Sequence, residues 1–275
     1  MNGSELSQDN PMLFNESLFS LAIVAFVILL VFEKLRPYRV FSNKTYKESI
    51  VTNISAFFIN NMILTVIKAS SLFIVAQEFS GSGLLSGLDD GLIKSLLTFA
   101  LFDLAIYIWH VASHKYEGLW RFHKIHHSDK SFNVSTGFRF HVFDLFLEII
   151  YKCLFVIVVG VNAYLVLTIE IVELFFIFFH HANLKIPYED EISNYIITPS
   201  LHRTHHSTAR NEHDSNYGIV LSLWDKLFKT RKEVVPANIG LELIEAENLI
   251  QLFSLAFITE RKIRKILALI PKGRK

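Results

Sequence analysis

The chain has 275 residues, of which 51% are hydrophobic and 19% charged, and its formal net charge is +1. This apolar fraction exceeds the range usual for soluble proteins and indicates a membrane environment. The near-zero net charge excludes a nucleic-acid partner, since no basic surface would neutralise phosphates. A single cysteine, Cys153, excludes an intrachain disulfide and paired-cysteine metal sites. Any bound metal must therefore have nitrogen and oxygen ligands.

Five apolar segments follow along the chain, each close to the length of about 20 residues that a helix needs to cross a bilayer. They cover approximately residues 18–32, 50–76, 92–109, 142–159 and 161–179. Lipid offers the backbone no hydrogen-bonding partner, so such segments form helices. Gly160 and Asn162 predict a tight turn between the last two. We expect an all-α integral membrane protein, a single domain over residues 1–275 with four to five transmembrane helices.

The charges between these segments predict their orientation. The loop 33–48 and the stretches after the third and fifth segments are rich in lysine and arginine, whereas the loop 78–90 is acidic. By the positive-inside rule the basic stretches are cytoplasmic, with the N-terminus outside and the C-terminus inside. The absence of an endoplasmic-reticulum retention signal at the end of the chain favours a bacterial inner membrane over that compartment.

The histidines carry the strongest chemical pattern. All 12 lie between His110 and His213, and eight of them form three closely spaced sets. The sets are His110 and His114; His123, His126 and His127; and His202, His205 and His206. Helical residues three or four apart share a face, so each set can present its imidazoles to one side. Eight imidazoles exceed the roughly four ligands of one zinc ion and suit two metal ions. The whole pattern lies after the spans, in a predicted cytoplasmic helical cap.

Other polar residues are candidates for further ligands or for hydrogen-bonding partners of the ligands. His180 and His181 end the fifth segment, and either could be the ninth ligand, with His181 preferred. His141 is equally a candidate for either role. The acidic candidates lie in or beside apolar segments, where acids are costly and usually functional; they are Asp103, Asp144, Glu148, Glu170 and Glu173. The two glutamates of the fifth segment are alternatively expected to form ion pairs with Lys68 or Lys152.

Residue types alone leave the metal open, because imidazole binds Fe, Zn, Cu and Ni alike. No H-E-x-x-H motif occurs, so a zinc protease lacks its general base. Two irons beside a membrane are best explained by O₂ activation, since an apolar C–H bond requires a cofactor for its chemistry. A membrane metal transporter is one alternative, but it would place its ligands at mid-span. A non-catalytic lipid-binding protein is another, although it would need none of the three sets.

Approximately residues 101–230 resemble the fatty acid hydroxylase superfamily, which includes sterol desaturases, sterol methyl oxidases and alkylglycerol monooxygenase. The matching motifs are H-V-A-S-H at 110–114, L-W-R-F-H-K-I-H-H-S at 119–128, H-A-N at 181–183, T-P-S-L-H-R-T-H-H at 198–206, N-Y-G at 216–218 and W-D at 224–225. The sterol desaturase and alkylglycerol monooxygenase branch is the most similar. Val111, Val142 and Lys229 depart from the family's usual residues, and none of them is a proposed ligand.

The resemblance implies a membrane enzyme with a histidine-bound dimetal centre, which holds two Fe ions when active and could hold Zn as isolated. It implies O₂-dependent hydroxylation of a C–H bond in a membrane lipid, namely a fatty acyl chain, a sterol or a glyceryl ether. Desaturation at the same site is the alternative. Electrons must come from a separate reductase, ferredoxin or haem protein, because the chain has no dinucleotide-binding or haem-attachment motif.

Overall fold

The computed structural model describes residues 11–66, 72–242, 244 and 246–259, with side chains from residue 20 onward. The helices in chain order are α1 (Pro11–Leu35), α2 (Asn43–Val66), α3 (Leu72–Phe79), α4 (Leu92–Lys115), α5 (Glu117–His123), α6 (Val142–Val159), α7 (Ala163–His181), α8 (Glu189–Ile192), α9 (Pro199–His205), α10 (Arg210–His213), α11 (Leu223–Leu227) and α12 (Leu249–Leu255). Two 3₁₀ helices, His126–Ser128 and Val134–Phe138, lie between α5 and α6. The described ranges contain no β-strand, only two isolated bridges, so the all-α prediction is confirmed.

Three described helices are long and apolar enough to cross a membrane, namely α2, α4 and α7. Within the stretch predicted as one span, residues 50–76, the structure describes α2 up to Val66 and α3 from Leu72. Residues 67–71 lie outside the described chain, so the single span stays a prediction. α6 matches the predicted 142–159 and carries three charged residues within its 18 positions. It still exposes Ile150, Leu154 and Val158, an apolar surface of the kind that faces lipid.

The turn between α6 and α7 has the sharpness that Gly160 and Asn162 predict. Gly160 has φ +74°, and a Cβ added there would lie 1.7 Å from the carbonyl oxygen of Ser82. The Asn162 side chain accepts hydrogen bonds from the backbone N–H groups of Tyr164 and Leu165 and so caps α7. The resulting α6–α7 hairpin packs against α3, with α4 against α6 and α1 against α7.

The histidine-bearing segments form a layer at the ends of α4 and α7, and a buried polar network attaches this layer to α2. Asp129 accepts hydrogen bonds from Ser49 and Asn53 of α2. Arg139 donates to Asn53 Oδ1 at 2.8 Å and to the carbonyl oxygen of Ala246 at 2.7 Å. Both charged groups are buried, and the Arg139 guanidinium and these donors hold the pKa of Asp129 below its usual range despite its desolvation. The loop that carries the second histidine set is therefore rigidly placed.

Candidate metal centre

Nine buried histidines converge in two adjacent groups, in each of which the candidate ligand atoms lie within 4.8 Å of one another. Group A consists of His110, His114, His123, His127 and His205, and group B consists of His126, His181, His202 and His206. The groups abut, because the ring centroids of His127 and His206 are 4.4 Å apart. All nine residues predicted as metal ligands are thus brought together.

Local helical geometry explains how each element contributes. α4 ends with His110 and His114 one turn apart, so both rings enter group A. α5 ends at His123, and the following 3₁₀ helix begins at His126. In that tighter helix His126 and His127 diverge, with rings 86° apart, and enter different groups. α9 and the end of α7 supply the remaining rings.

Three of the five imidazoles of group A are held from outside by their Nδ1 atoms. The Nδ1 of His110 is 2.7 Å from the carbonyl oxygen of Tyr217, and that of His205 is 2.6 Å from the carbonyl oxygen of Ser215. The Nδ1 of His123 is 3.1 Å from Asp144 Oδ2. Because a carbonyl or carboxylate can only accept, these Nδ1 atoms carry the proton and each Nε2 has a free lone pair. The three Nε2 atoms are buried and have no hydrogen-bonding partner within the described chain, which is the arrangement typical of metal-binding histidines.

In group B, His181 is oriented through its Nδ1 in the same way. Its Nδ1 donates to the carbonyl oxygen of Ile177 at 2.6 Å, so its Nε2 is an acceptor. This Nε2 lies 3.1 Å from His126 Nε2 and 3.0 Å from His202 Nε2. Both ring nitrogens of His206 are buried without a partner among the described residues. Ring nitrogens that converge in this way around an obligatory acceptor suit a shared cation.

Electrostatics keep these rings in the metal-binding form. Burial lowers the pKa of His126, His127, His202, His205 and His206 well below the ordinary value, and the neighbouring imidazoles lower it further. Neutral imidazole is the form that binds metal. Nine imidazole nitrogen donors in two groups fit two borderline divalent ions such as Fe²⁺ or Zn²⁺, and not the oxygen-preferring Ca²⁺ or Mg²⁺.

The other predicted candidates lie beside these groups. His180 is buried with its ring centroid 3.8 Å from that of His202, outside both groups. His141 caps α6, where its Nδ1 accepts from the backbone N–H of Phe143. Burial lowers the pKa of His141 to about 4. Asp144 contacts His123, as an orienting carboxylate does.

Four of the acidic candidates contact no imidazole nitrogen among the hydrogen bonds and ion pairs of the described chain; they are Asp103, Glu148, Glu170 and Glu173. Asp103 accepts from the backbone N–H groups of Val220 and Leu221 and from Trp224 Nε1. It therefore holds the loop whose Tyr217 carbonyl orients His110, an indirect relationship instead of the direct contact expected. The other three acids surround Lys152; they are Glu148, Glu170 and Glu173. Lys68, the other ion-pair partner predicted for the glutamates, lies outside the described residues.

Three features around the histidines were not predicted from the sequence. The carbonyl groups of Ser215 and Tyr217 orient imidazoles, and no sequence pattern marks a carbonyl for this role. His213 and Asp214 form a third potential metal group with His114. His213 lies outside the three histidine sets in the sequence, so no helical spacing marked it. Glu33, buried at the end of α1, accepts from the backbone N–H groups of Val134 and Asn183. A lone acid at the end of an apolar segment was the available signal for Glu33.

Comparison with known proteins identifies the middle of the chain. Residues 95–230 match the family model described as fatty acid hydroxylase. The chain is 32% identical to ornithine lipid hydroxylase OlsE of Rhizobium tropici, over 49% of this chain and 40% of the relative. It is 32% identical to human alkylglycerol monooxygenase, over 46% of this chain and 28% of the relative. Human cholesterol 25-hydroxylase is 30% identical, over 52% of this chain and 53% of the relative. The chain thus spans about half or less of these relatives, and no solved structure matches it significantly.

Proposed function

Residues 95–230 of this chain belong to the fatty acid hydroxylase family, and on that premise we propose that the protein is a membrane-bound di-iron hydroxylase that oxidises a lipid C–H bond with O₂. The observation that carries the proposal is the pair of adjacent groups of buried, neutral imidazoles with unpartnered inward nitrogens. The histidines of groups A and B would each hold one ion. Bound iron supplies the O₂ activation that no side chain can perform.

A small cavity supports a lipid substrate. Its volume is about 50 Å³, and its wall combines imidazoles of both groups with apolar side chains from α4 and α7. Ile106, Trp109 and Ile177 are among the apolar residues. An alkyl segment that entered between these helices would meet an apolar wall on one side and the metal-binding nitrogens on the other. The same wall excludes water from the reacting carbon.

The reaction balances as follows: the lipid C–H bond and O₂ take up two electrons and two protons to give an alcohol and water. The electrons would come from a separate reductase, ferredoxin or haem protein. Hydroxylation is favoured over desaturation because the names of the three relatives describe hydroxylases or a monooxygenase. A fatty acyl chain, a sterol and a glyceryl ether remain the candidate substrate classes.

The membrane arrangement is part of the proposal. We place α1, α2, α4, α6 and α7 in the bilayer, with the histidine layer on the cytoplasmic side next to the basic stretches. A bacterial inner membrane is preferred to the endoplasmic reticulum. The location of both groups at the ends of α4 and α7 argues against a transporter, whose ligands would follow a path through the spans.

The test is metal content followed by turnover. The protein is purified in detergent, reconstituted with Fe²⁺ and supplied with membrane lipid, a reductant with an electron carrier, and ¹⁸O₂. We expect about two irons per chain and one ¹⁸O atom in a hydroxylated lipid by mass spectrometry. His126→Ala and His205→Ala should lose metal and product, whereas His141→Asn, outside both groups, should keep its metal. A protein that binds no metal after reconstitution would refute the proposal.

A further inference from the structure

Four ionisable side chains meet between α6 and α7, one lysine and three glutamates. Lys152 Nζ lies 3.0 Å from Glu148, 3.2 Å from Glu173 and 3.7 Å from Glu170. Lys152 can neutralise only one of the three carboxyl groups around it, and Glu173 is the most deeply buried of the three. Buried charge of this kind is unfavourable unless a further donor or cation compensates it. We call these residues the Lys152 cluster.

Glu173 has one carboxyl oxygen without a hydrogen-bonding partner within the described chain. Its side chain is on a residue only 3% exposed. Oε2 accepts from Lys152, while Oε1 is buried and has no hydrogen-bonding partner within the described chain. Glu173 and Glu148 also line the cavity that contains imidazoles of both histidine groups. An unpaired acceptor thus borders the space where the proposed function places the substrate.

We propose that Glu173 Oε1 binds an N–H or O–H donor of the lipid substrate, so that the enzyme selects lipids with an amine or hydroxyl close to the oxidised carbon. This inference rests on the proposed function and adds a substrate class to it. The small cavity sets the closeness, because its wall includes both Glu173 and the candidate metal ligands. A protonated amine is favoured over a hydroxyl, because a charged donor forms the stronger hydrogen bond to a carboxyl oxygen.

The selectivity follows from the free-energy cost of leaving a buried acceptor without a donor. A lipid without a donor would fill the cavity and leave Glu173 Oε1 desolvated and unpaired. Sites built to hydrogen-bond a substrate group reject analogues that lack the group far more strongly than apolar pockets reject a changed chain length. Glu173 would therefore act as a specificity-determining residue, while the apolar wall tolerates different chains.

The test measures binding apart from turnover, with the Zn-loaded protein in phosphatidylcholine nanodiscs. The probes are a long-chain amine, its alcohol and its methyl ether, each with a bromine near the polar end. Binding is followed by quenching of tryptophan fluorescence, since Trp109 lines the cavity; Trp109→Phe verifies the reporter. We expect the amine to bind most tightly and the ether about tenfold or more weakly than the amine.

Two variants locate the contact. Glu173→Gln should abolish the preference for the amine over the ether. Glu170→Gln removes the same charge but lies outside the cavity wall, so it should keep the preference. Equal binding of all three probes by the parent protein, or the same loss in both variants, would overturn the inference. If Glu173→Gln does not fold, the relative affinities of the parent protein for the three probes still test the inference.

The two proposals can fail separately. A protein that discriminates the probes but oxidises no lipid would contradict the proposed function and retain the binding site. A protein that oxidises lipids but shows no discrimination would contradict only the role of Glu173.

Discussion

His205 and His206 are consecutive in the chain, yet their rings lie 5.5 Å apart at 75° to each other and belong to different histidine groups. The end of α9 therefore contributes to both groups at once. His126 and His127 have the same relationship in the facing segment. Two H-x-x-H-H motifs thus build two adjacent sites because each final pair of histidines divides between them.

This division predicts that the two sites can be emptied separately. His205→Ala should lower the metal content of the reconstituted protein from about two ions to about one, and His206→Ala should do the same at the other site. The measurement is metal per chain by elemental analysis, with His141→Asn as the histidine control. Complete loss of metal in both variants would show that the groups form one inseparable centre.

Asp144 should strengthen metal binding in group A through His123. Its carboxylate accepts from the Nδ1 of His123 at 3.1 Å in a buried position. Asp144→Asn should weaken one metal by about 10- to 100-fold, the usual effect of removing such a partner. Asp214→Asn is the graded comparison, because Asp214 is 3.4 Å from His114 Nδ1 and its side chain is 37% exposed. Competition with a chelator gives both affinities, and a larger loss for Asp214→Asn would contradict the assignment.

Asp103 should stabilise the loop that orients His110. Asp103→Ala would leave three donors without their acceptor, a buried one on Val220 and partly buried ones on Leu221 and Trp224. We expect the free energy of unfolding to fall by about 2–4 kcal/mol, together with weaker metal binding. Denaturant titration in detergent measures the change, and Asp89→Ala, on an exposed residue, is the control. Unchanged stability of Asp103→Ala would refute this role.

The metal-free protein should lose stability in mild acid. Burial lowers the pKa of His126, His127, His202, His205 and His206 in the folded state, while the unfolded chain takes up protons near pH 6.5. Both states are neutral above that value, so stability is full there. As the pH falls below about 6.5, only the unfolded state binds protons, and each histidine removes up to about 1.4 kcal/mol per pH unit.

The measurement for this pH dependence is the denaturant midpoint of the metal-free protein between neutral pH and mild acid. The double variant His202→Gln/His206→Gln removes two of the titrating rings and should show a shallower dependence. A midpoint that is independent of pH in the parent protein would contradict the buried, neutral state of these histidines.

Helix ends were predictable where a turn residue marks them. The segment 142–159 coincides with α6, because Gly160 ends it through a positive φ. The segment 50–76 was predicted as one span, and α2 and α3 cover its two ends, with residues 67–71 outside the described chain. An apolar run indicates that a segment avoids water, but it does not indicate where a helix ends.

The sequence by itself determined which residues are candidate metal ligands. Nine histidines in ordered motifs, with the surrounding residues of the family, identified the candidate ligands, since metal-binding side chains and helical spacing are local properties. Only the tertiary structure decided how the nine divide into groups A and B, which carbonyls orient His110 and His205, and that Asp103 acts through a loop. It also brought Glu173 to the cavity wall. These relationships join residues up to more than a hundred positions apart, and such contacts depend on how the helices pack and not on any local pattern.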